Sequence, residues 1–297
     1  MVDDSAGGGP HESTSGWRAI RAALPATRRE LEAELETVVT ENRFTIAVLF
    51  PLVGAVSLVA SAEGLVPEPL AFNPWFLLVG VAVMRAPLVV GVLPLVDRRA
   101  LSWIGLLTAY TYAIEYVGVR TGWPYGFFEY GVSLGPMLGG VPVALPLFFL
   151  PIVANAYLLC LLLLGSHAAR ALVRVAVAAV VVTMDVVLDP GAVDLGFWWY
   201  RAGGAFHGVP LSNYAGWVLS ASVATIAFDR AFDHATLTRR LENCAFLLDD
   251  MVSFVLLWGG INLWFGNYVP ALVAVALGAG LVRADRFDAA LLTDWRR

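Results

Sequence analysis

The sequence predicts an all-α, polytopic integral membrane protein with about eight transmembrane helices. Hydrophobic residues make up 59% of the chain and charged residues only 14%, a balance far from that of soluble domains. Eight apolar stretches are long enough, or nearly long enough, to cross a bilayer, since about 20 residues of helix cover roughly 30 Å of hydrocarbon. In chain order the predicted spans are 44–63, 74–96, 101–119, 141–164, 170–189, 213–229, 245–264 and 268–284.

The distribution of arginines supports eight crossings independently of hydropathy. All 19 basic residues are Arg. If eight spans alternate, the arginines before the first span, after spans two, four and six, and after the last span all fall on one side. The other side receives only Arg120 and Arg201, and Arg85 lies within the second span. Because basic segments are retained in the cytoplasm, we predict a multi-pass protein of the cell membrane with both termini cytoplasmic.

Two cytoplasmic segments flank the predicted transmembrane domain, which covers residues 44–285. Residues 1–43 form an N-terminal arm that starts polar and disordered and continues as short amphipathic helices. Thr27 and Glu30 have the spacing of a capping box that opens one of these helices. The arm has two interpretations, a membrane-surface anchor and a solvated leader. Residues 286–297 form a short tail.

The two long loops of the predicted outer side, 120–140 and 190–212, carry many aromatic residues. Tyr and Trp favour the headgroup level, so an aromatic belt accounts for part of this pattern. A belt does not account for the charged and titratable residues between the rings, which are Glu129, Asp194, Arg201 and His207. We therefore predict that the loops form a lid over a cavity. No β-strand pattern is evident in the chain.

Polar side chains recur at a similar depth in three predicted spans. Tyr112 and Glu115 lie on one face of span three. Asp185 and Asp189 lie on one face of span five, and Asn213 opens span six. A carboxylate at the centre of a membrane helix costs about 2.5–3.5 kcal/mol. These residues are therefore predicted to face the interior of the bundle and to have partners there.

Two acidic sites also have plainer interpretations. The sequence Asp189-Pro190-Gly191 is an ordinary turn that can end a helix. Asp249 and Asp250 lie near the inner end of span seven, where a solvated helix start is the simpler interpretation.

The composition excludes several classes of membrane enzyme. A retinal protein needs a Lys for its Schiff base, and the chain has none. Its four His are too few and too scattered for a histidine-rich di-iron site, and Asp249-Asp250 lacks the further acid of a diphosphate-binding motif. Cys160 and Cys244 fit no disulfide or metal pattern. There is no phosphate-binding Gly-rich loop and no basic surface for nucleic acid. What remains is a lipophilic cavity with carboxylic acids near the water interface, which suits a reaction of a proton and water.

Several motifs together resemble the CruF-type carotenoid hydratases. They are Tyr112-x-x-Glu115, Gly122-x-Pro124-Tyr125-Gly126, Tyr130, Gly140-Val-Pro142, Asp185-x-x-x-Asp189-Pro190, Trp198-Trp199 and Gly208-Val-Pro210-x-x-Asn213-Tyr-x-Gly216-Trp217. The resemblance runs over roughly residues 44–285. Within this family, the chain resembles the haloarchaeal members in particular. It implies a hydro-lyase that adds water to terminal carbon–carbon double bonds of an acyclic carotenoid. In the archaeal case the substrate would be bisanhydrobacterioruberin and the product bacterioruberin.

The chemistry of such a hydration suggests a role for each polar residue. Asp185, among valines that favour a protonated carboxyl, is the predicted proton donor, and Glu115 is predicted to orient water. The supporting shell comprises Asp189, Asn213 and Tyr112. Electron-rich rings stabilise a carbocation, and the candidates for substrate contact are Tyr125, Trp198, Trp199 and Trp217. The reaction itself requires no metal or redox cofactor.

Two other functions remain open at the level of the sequence. Buried acids also form proton relays in small-solute transporters, although no convincing repeat relates the two halves of the chain. The other open function is that of a non-catalytic carotenoid-binding subunit. For both the hydratase and the carotenoid-binding subunit, the predicted partners are a lipophilic carotenoid, membrane lipids and other membrane enzymes of carotenoid biosynthesis. Nucleic acid is not a predicted partner.

Overall fold

The computed structural model describes residues 27–165 and 168–284. The predicted disordered leader and the tail 286–297 lie outside these residues. The described chain is nearly all-α and contains ten helices: α1 (Arg28–Glu41), α2 (Thr45–Ala62, whose first turn is π-helical), α3 (Pro74–Val92, followed by a 3₁₀ turn, Leu93–Leu95), α4 (Arg98–Thr121), α5 (Leu145–Leu164), α6 (Arg170–Asp194), α7 (Leu211–Ala231), α8 (His234–Asn243), α9 (Asp249–Trp264) and α10 (Tyr268–Arg283).

Each of the eight predicted spans coincides with a helix. Four of them, α2, α3, α5 and α6, are long and apolar enough to cross a membrane. α4 and α7 are longer than a minimal span but carry polar residues along their length, whereas α9 and α10 have only 16 residues each. α6 is central, since it packs against α5, α7, α9 and α10, and α4 packs against α7.

The helix α6 continues through Asp189-Pro190-Gly191 to Asp194. The interpretation of this sequence as a helix-ending turn is therefore wrong. A proline inside a helix removes one backbone donor and disturbs the preceding turn. In that turn the carbonyl of Val187 accepts a hydrogen bond of 2.7 Å from the Asn262 side chain of α9. This bond ties α6 to α9 beside the proline, and the unbroken helix places Asp189 on the same face as Asp185.

Asp249 and Asp250, at the start of α9, are fully buried. The interpretation of a solvated helix start is wrong for both, because each has a cationic partner. Arg43 approaches Asp249 to 2.8 Å, and Arg85 approaches Asp250 to 2.5 Å. The second oxygen of Asp250 accepts from Asn155 at 2.5 Å. Arg85, near the middle of the second predicted span, is thus part of a buried ion pair between α3 and α9.

The two long loops meet in a short β-ladder, where no strand was predicted. β1 (Phe128–Tyr130) pairs antiparallel with β4 (Trp198–Tyr200), and β2 (Met137–Leu138) pairs with β3 (Val141–Pro142). Strands of two or three residues are too short to give a period-2 signal. We call the β1–β4 ladder and its flanking loops the lid. Its register places Phe128 opposite Tyr200 and Tyr130 opposite Trp198, so these four side chains share one face.

The end of the bundle opposite the lid is held by the N-terminal arm. The capping box predicted at Thr27 and Glu30 is confirmed, since each side chain accepts from the backbone N–H of the other residue at 3.2 Å. Arg240 of α8 donates to Glu36 of α1 and to the carbonyl of Gly91 in α3. The described part of the arm therefore packs on the helices and is more than a solvated leader.

The buried Arg85–Asp250 pair gives a prediction for stability. Asp250→Ala leaves a buried guanidinium without its carboxylate, which is expected to cost about 3–5 kcal/mol. The matched control is Glu129→Ala, which removes the exposed ion pair with Arg201 in the lid and is expected to cost less than about 1 kcal/mol. Thermal unfolding of both variants in the same detergent measures the difference. Equal losses of stability would contradict the structural role of the buried pair.

Candidate active site

A cavity of about 510 Å³ lies between the lid and the middle of the bundle. Most of its wall is apolar, and a polar group of side chains lies under the lid. These polar lining residues are Glu115, Tyr125, Tyr130, Asp189, Tyr200 and Asn213. The cavity thus combines a lipophilic volume with a small number of convergent hydrogen-bonding groups, which is the usual composition of a small-molecule site.

Asn213, in the first turn of α7, joins the two carboxyl groups of α6. Its amide nitrogen donates to Asp185 at 2.8 Å and to Asp189 at 2.6 Å. All three side chains are buried. Because Asp185 and Asp189 are four residues apart on one helix face, a single amide can reach both. Their two bonded oxygens are consequently close neighbours.

Asp185 and Asp189 differ in their relation to the cavity. Asp189 lines the cavity wall, whereas Asp185 lies one turn deeper and does not line it. The second oxygen of Asp185 is buried and has no hydrogen-bond partner among the described residues. Buried polar atoms are almost always bonded, so this oxygen is suited to carry a proton or to accept one from a water molecule.

Two tyrosines of the lid donate to the carboxyl groups at the cavity wall. Tyr200 donates to Asp189 at 2.9 Å, and Tyr130 donates to Glu115. Burial raises the pKa of both phenols well above the usual range, and the neighbouring acids, Glu115 for Tyr130 and Asp189 for Tyr200, raise it further. Both hydroxyls therefore remain protonated hydrogen-bond donors at any physiological pH. The lid fixes the orientation of the two acids through these bonds.

The chain matches the family described as "Carotenoid biosynthesis protein" over residues 72–281. A protein of Haloarcula japonica named bisanhydrobacterioruberin hydratase is 60% identical to it over 284 residues, which is 95% of each chain. The chain belongs to the carotenoid biosynthesis protein family. No solved structure matches it significantly. The resemblance proposed from the motifs is thereby confirmed.

In this member of the carotenoid biosynthesis protein family, aromatic rings form much of the wall beside the polar group. Trp217 is stacked on Phe149 with 5.2 Å between ring centroids, and it lies 6.3 Å from the ring of Tyr125. The Tyr125 hydroxyl bonds to Ser220 at 2.6 Å. Gly216 permits this packing, because a Cβ there would lie 2.4 Å from the Tyr125 ring. Trp198 also lines the cavity.

Two of the predicted site residues, one a candidate for substrate contact and one from the supporting shell, lie away from the cavity. Trp199 is exposed on the outer face of the lid, opposite Glu129. Tyr112 does not line the cavity and donates instead to the carbonyl of Val143, just before α5. In both cases a neighbouring residue of the same segment, Trp198 or Glu115, lines the cavity instead.

Sequence reasoning missed Tyr130 and Tyr200 as site residues. The signal that points to them is the alternation within the two aromatic triplets, Phe128-Glu129-Tyr130 and Trp198-Trp199-Tyr200. If these are read as strands, their first and third residues share a face. The single charged residue, Glu129, marks the face turned away from the site, where it pairs with Arg201 at 2.6 Å.

Proposed function

We propose that this chain is a carotenoid hydratase that adds water across terminal carbon–carbon double bonds of an acyclic carotenoid, converting bisanhydrobacterioruberin into bacterioruberin. The name of the Haloarcula relative supports the substrate. The observation that carries the chemistry is the position of Asp189 and Glu115, which lie at the polar end of an otherwise apolar cavity. An acyclic polyene can occupy the apolar part while its terminal double bond meets the acids.

The first step is the transfer of a proton to the terminal double bond. The O–H bond of a carboxylic acid breaks, a C–H bond forms at the less substituted carbon, and the more substituted carbon becomes a tertiary carbocation. Two carboxylates bridged by one amide repel each other, so the Asp185–Asp189 pair favours retention of one proton. We assign the donor to this pair, with Asp189 as the member that faces the substrate.

This assignment modifies the role predicted for Asp185. Asp185 was expected to be the proton donor, but of the two acids only Asp189 lines the cavity. In the proposal the carboxyl group of Asp185 shares one proton with that of Asp189, and the pair keeps this proton until the substrate is bound. Trp217 and Tyr125 present electron-rich rings to the same space, and such rings stabilise a neighbouring cation.

The second step is the capture of the carbocation by water. The water oxygen forms a C–O bond with the cationic carbon and releases a proton to a base. Glu115 is the proposed base, because it lines the cavity opposite the apolar part and the hydrogen bond from Tyr130 fixes the orientation of its carboxyl group. The proton then returns to the Asp185–Asp189 pair through water, and the product is a tertiary alcohol. The overall reaction consumes only the alkene and water.

The activity is tested with purified protein and bisanhydrobacterioruberin, using mass spectrometry to detect a gain of one water per reacting end. Asp189→Asn and Glu115→Gln are each expected to lower the turnover rate by about 10²–10⁴-fold, the usual contribution of a general acid or base. Both variants retain the size of the side chain, so carotenoid binding is expected to persist.

Glu129→Gln serves as the control, because Glu129 is a lid carboxyl that points away from the cavity. It is expected to keep turnover within about twofold of the wild type, as surface ion pairs contribute little. Near-normal turnover in both Asp189→Asn and Glu115→Gln would contradict the proposed site. Carotenoid binding by the wild type without any mass gain would favour a non-catalytic carotenoid-binding protein.

We infer further that all eight helices from α2 to α7, α9 and α10 cross the cell membrane, with the lid outside and both termini in the cytoplasm. The arginine distribution supports this orientation. The short α9 and α10 pack against each other and against α6, so they are parts of the same bundle as the longer helices. The proposed active site then lies near the outer interface, where water is available.

Cysteine labelling tests this orientation. Ser133→Cys and Ala205→Cys place a thiol in each lid loop, and Ala235→Cys places one in α8; all three positions are exposed. The native Cys160 and Cys244 are buried and are expected to react slowly. A membrane-impermeant maleimide added to intact cells is expected to label the two lid thiols and not the α8 thiol. Labelling of Ala235→Cys with protection of both lid positions would reverse the orientation.

A further inference from the structure

The apolar part of the cavity follows one face each of α2 and α3. In α2 its lining residues recur at helical spacing from Phe50 to Ser61, and in α3 they recur from Phe76 to Arg85. At 1.5 Å per residue these faces extend about 14–17 Å along the helices. The cavity therefore runs from the lid toward the middle of the bundle and ends there.

The deep end of the cavity is closed by a polar cluster. Arg85 lines the cavity at this end, and its guanidinium is tied to Asp250 at 2.5 Å and to the carbonyl of Leu147 at 3.3 Å. Asn155 completes the cluster through the other oxygen of Asp250. Separating a buried ion pair is costly, so a hydrocarbon chain has no route through this floor.

The side of the cavity between α2 and α3 is open to the outer surface of the bundle. Val53 of α2 is 56% exposed and Phe76 of α3 is 64% exposed, yet both line the cavity. The other exposed lining residues are Ser57 and Leu70, one on α2 and one in the connection to α3. On the α5 side, by contrast, Phe149 and Ile152 are buried. The cavity and the lipid-facing surface are thus continuous at one place.

We propose that the gap between α2 and α3 is a lateral portal through which the polyene enters from the lipid and in which its unreacted portion remains during hydration. This inference rests on the proposed function. A polyene that spans a bilayer is about 30 Å long, which exceeds the depth of the cavity. Since the floor is closed, the remainder of the chain leaves sideways, where it stays in contact with apolar side chains and lipid.

Gly80, on the cavity face of α3, lies opposite Phe50 of α2 across this portal. A Cβ at Gly80 would meet only the Phe50 ring of α2, at 3.9 Å, so a side chain fits at this position. Because glycine has no side chain, the space between α2 and α3 stays open there. A larger residue at position 80 is expected to fill the gap without disturbing the carboxyl groups, which are on α4 and α6.

The test compares Gly80→Leu with Gly105→Leu, using two substrates that carry the same terminal double bond. Gly105 is an exposed helical glycine of α4 with no atom near its Cβ position, so it controls for the Gly-to-Leu change itself. For the full-length carotenoid, Gly80→Leu is expected to lower kcat/KM by about tenfold or more, because overpacking blocks the chain. For a short alkene that ends in the same isopropylidene group, both variants are expected to stay within about twofold of the wild type.

A second pair of variants guards against misfolding. Val53→Trp narrows the portal from α2, whereas Val56→Trp, on the same helix, is exposed and does not line the cavity. The portal predicts selective loss on the full-length carotenoid for Val53→Trp only. Equal losses on both substrates, or no loss in either portal variant, would overturn the proposal.

A measurement of carotenoid binding distinguishes a failure of the portal proposal from a failure of the proposed hydratase function. The dissociation constant of the full-length carotenoid, measured by quenching of Trp fluorescence, does not depend on turnover. If the wild type hydrates neither substrate, the hydratase function fails, and the portal is then decided by binding alone. Weaker binding by Gly80→Leu than by Gly105→Leu supports the portal, and equal binding refutes it.

Discussion

The side chain of Asn213 donates to two carboxyl groups at once in the interior of an apolar bundle. Burying one carboxyl among membrane helices is costly, and burying two side by side adds their mutual repulsion. The amide bridge, the Tyr200 hydroxyl and the continuity of α6 past Pro190 together make the arrangement possible. The lid contributes to the same arrangement, because its β-ladder carries the two tyrosines that donate hydrogen bonds to Asp189 and Glu115.

Five acids inside the described part of the bundle fall into two groups that differ in their partners. Asp249 and Asp250 have arginine partners and join α9 to the rest of the bundle. Asp185, Asp189 and Glu115 have amide and phenol partners and lie at or behind the cavity wall. An arginine holds a carboxylate in its charged form, whereas a neutral donor allows the acid to gain and lose a proton. This difference in partners separates structural acids from the acids proposed for chemistry.

The sequence was sufficient for the helices and for the grouping of Glu115, Asp185, Asp189 and Asn213, because long apolar stretches and helical spacing are local signals. It was insufficient where the partner is distant in the chain. Asp250 was read as solvated because Arg85, its partner, is 165 residues away. Trp199 was placed in the site because a three-residue strand gives no reliable face, and the order of Asp185 and Asp189 along the cavity wall depends on how α6 rotates against α7.

In the proposed reaction the terminal double bond gains a proton from the Asp185–Asp189 pair and then water at the adjacent carbon. Turnover of bisanhydrobacterioruberin in D₂O enriched in D₂¹⁸O tests both steps in one product by mass spectrometry and NMR. We expect one deuterium on the carbon that was protonated and ¹⁸O from the solvent in the new hydroxyl at each reacted end, with the hydroxyl on the more substituted carbon. Product formed under ¹⁸O₂ that carries the label from oxygen gas, or product without carbon-bound deuterium, would contradict it.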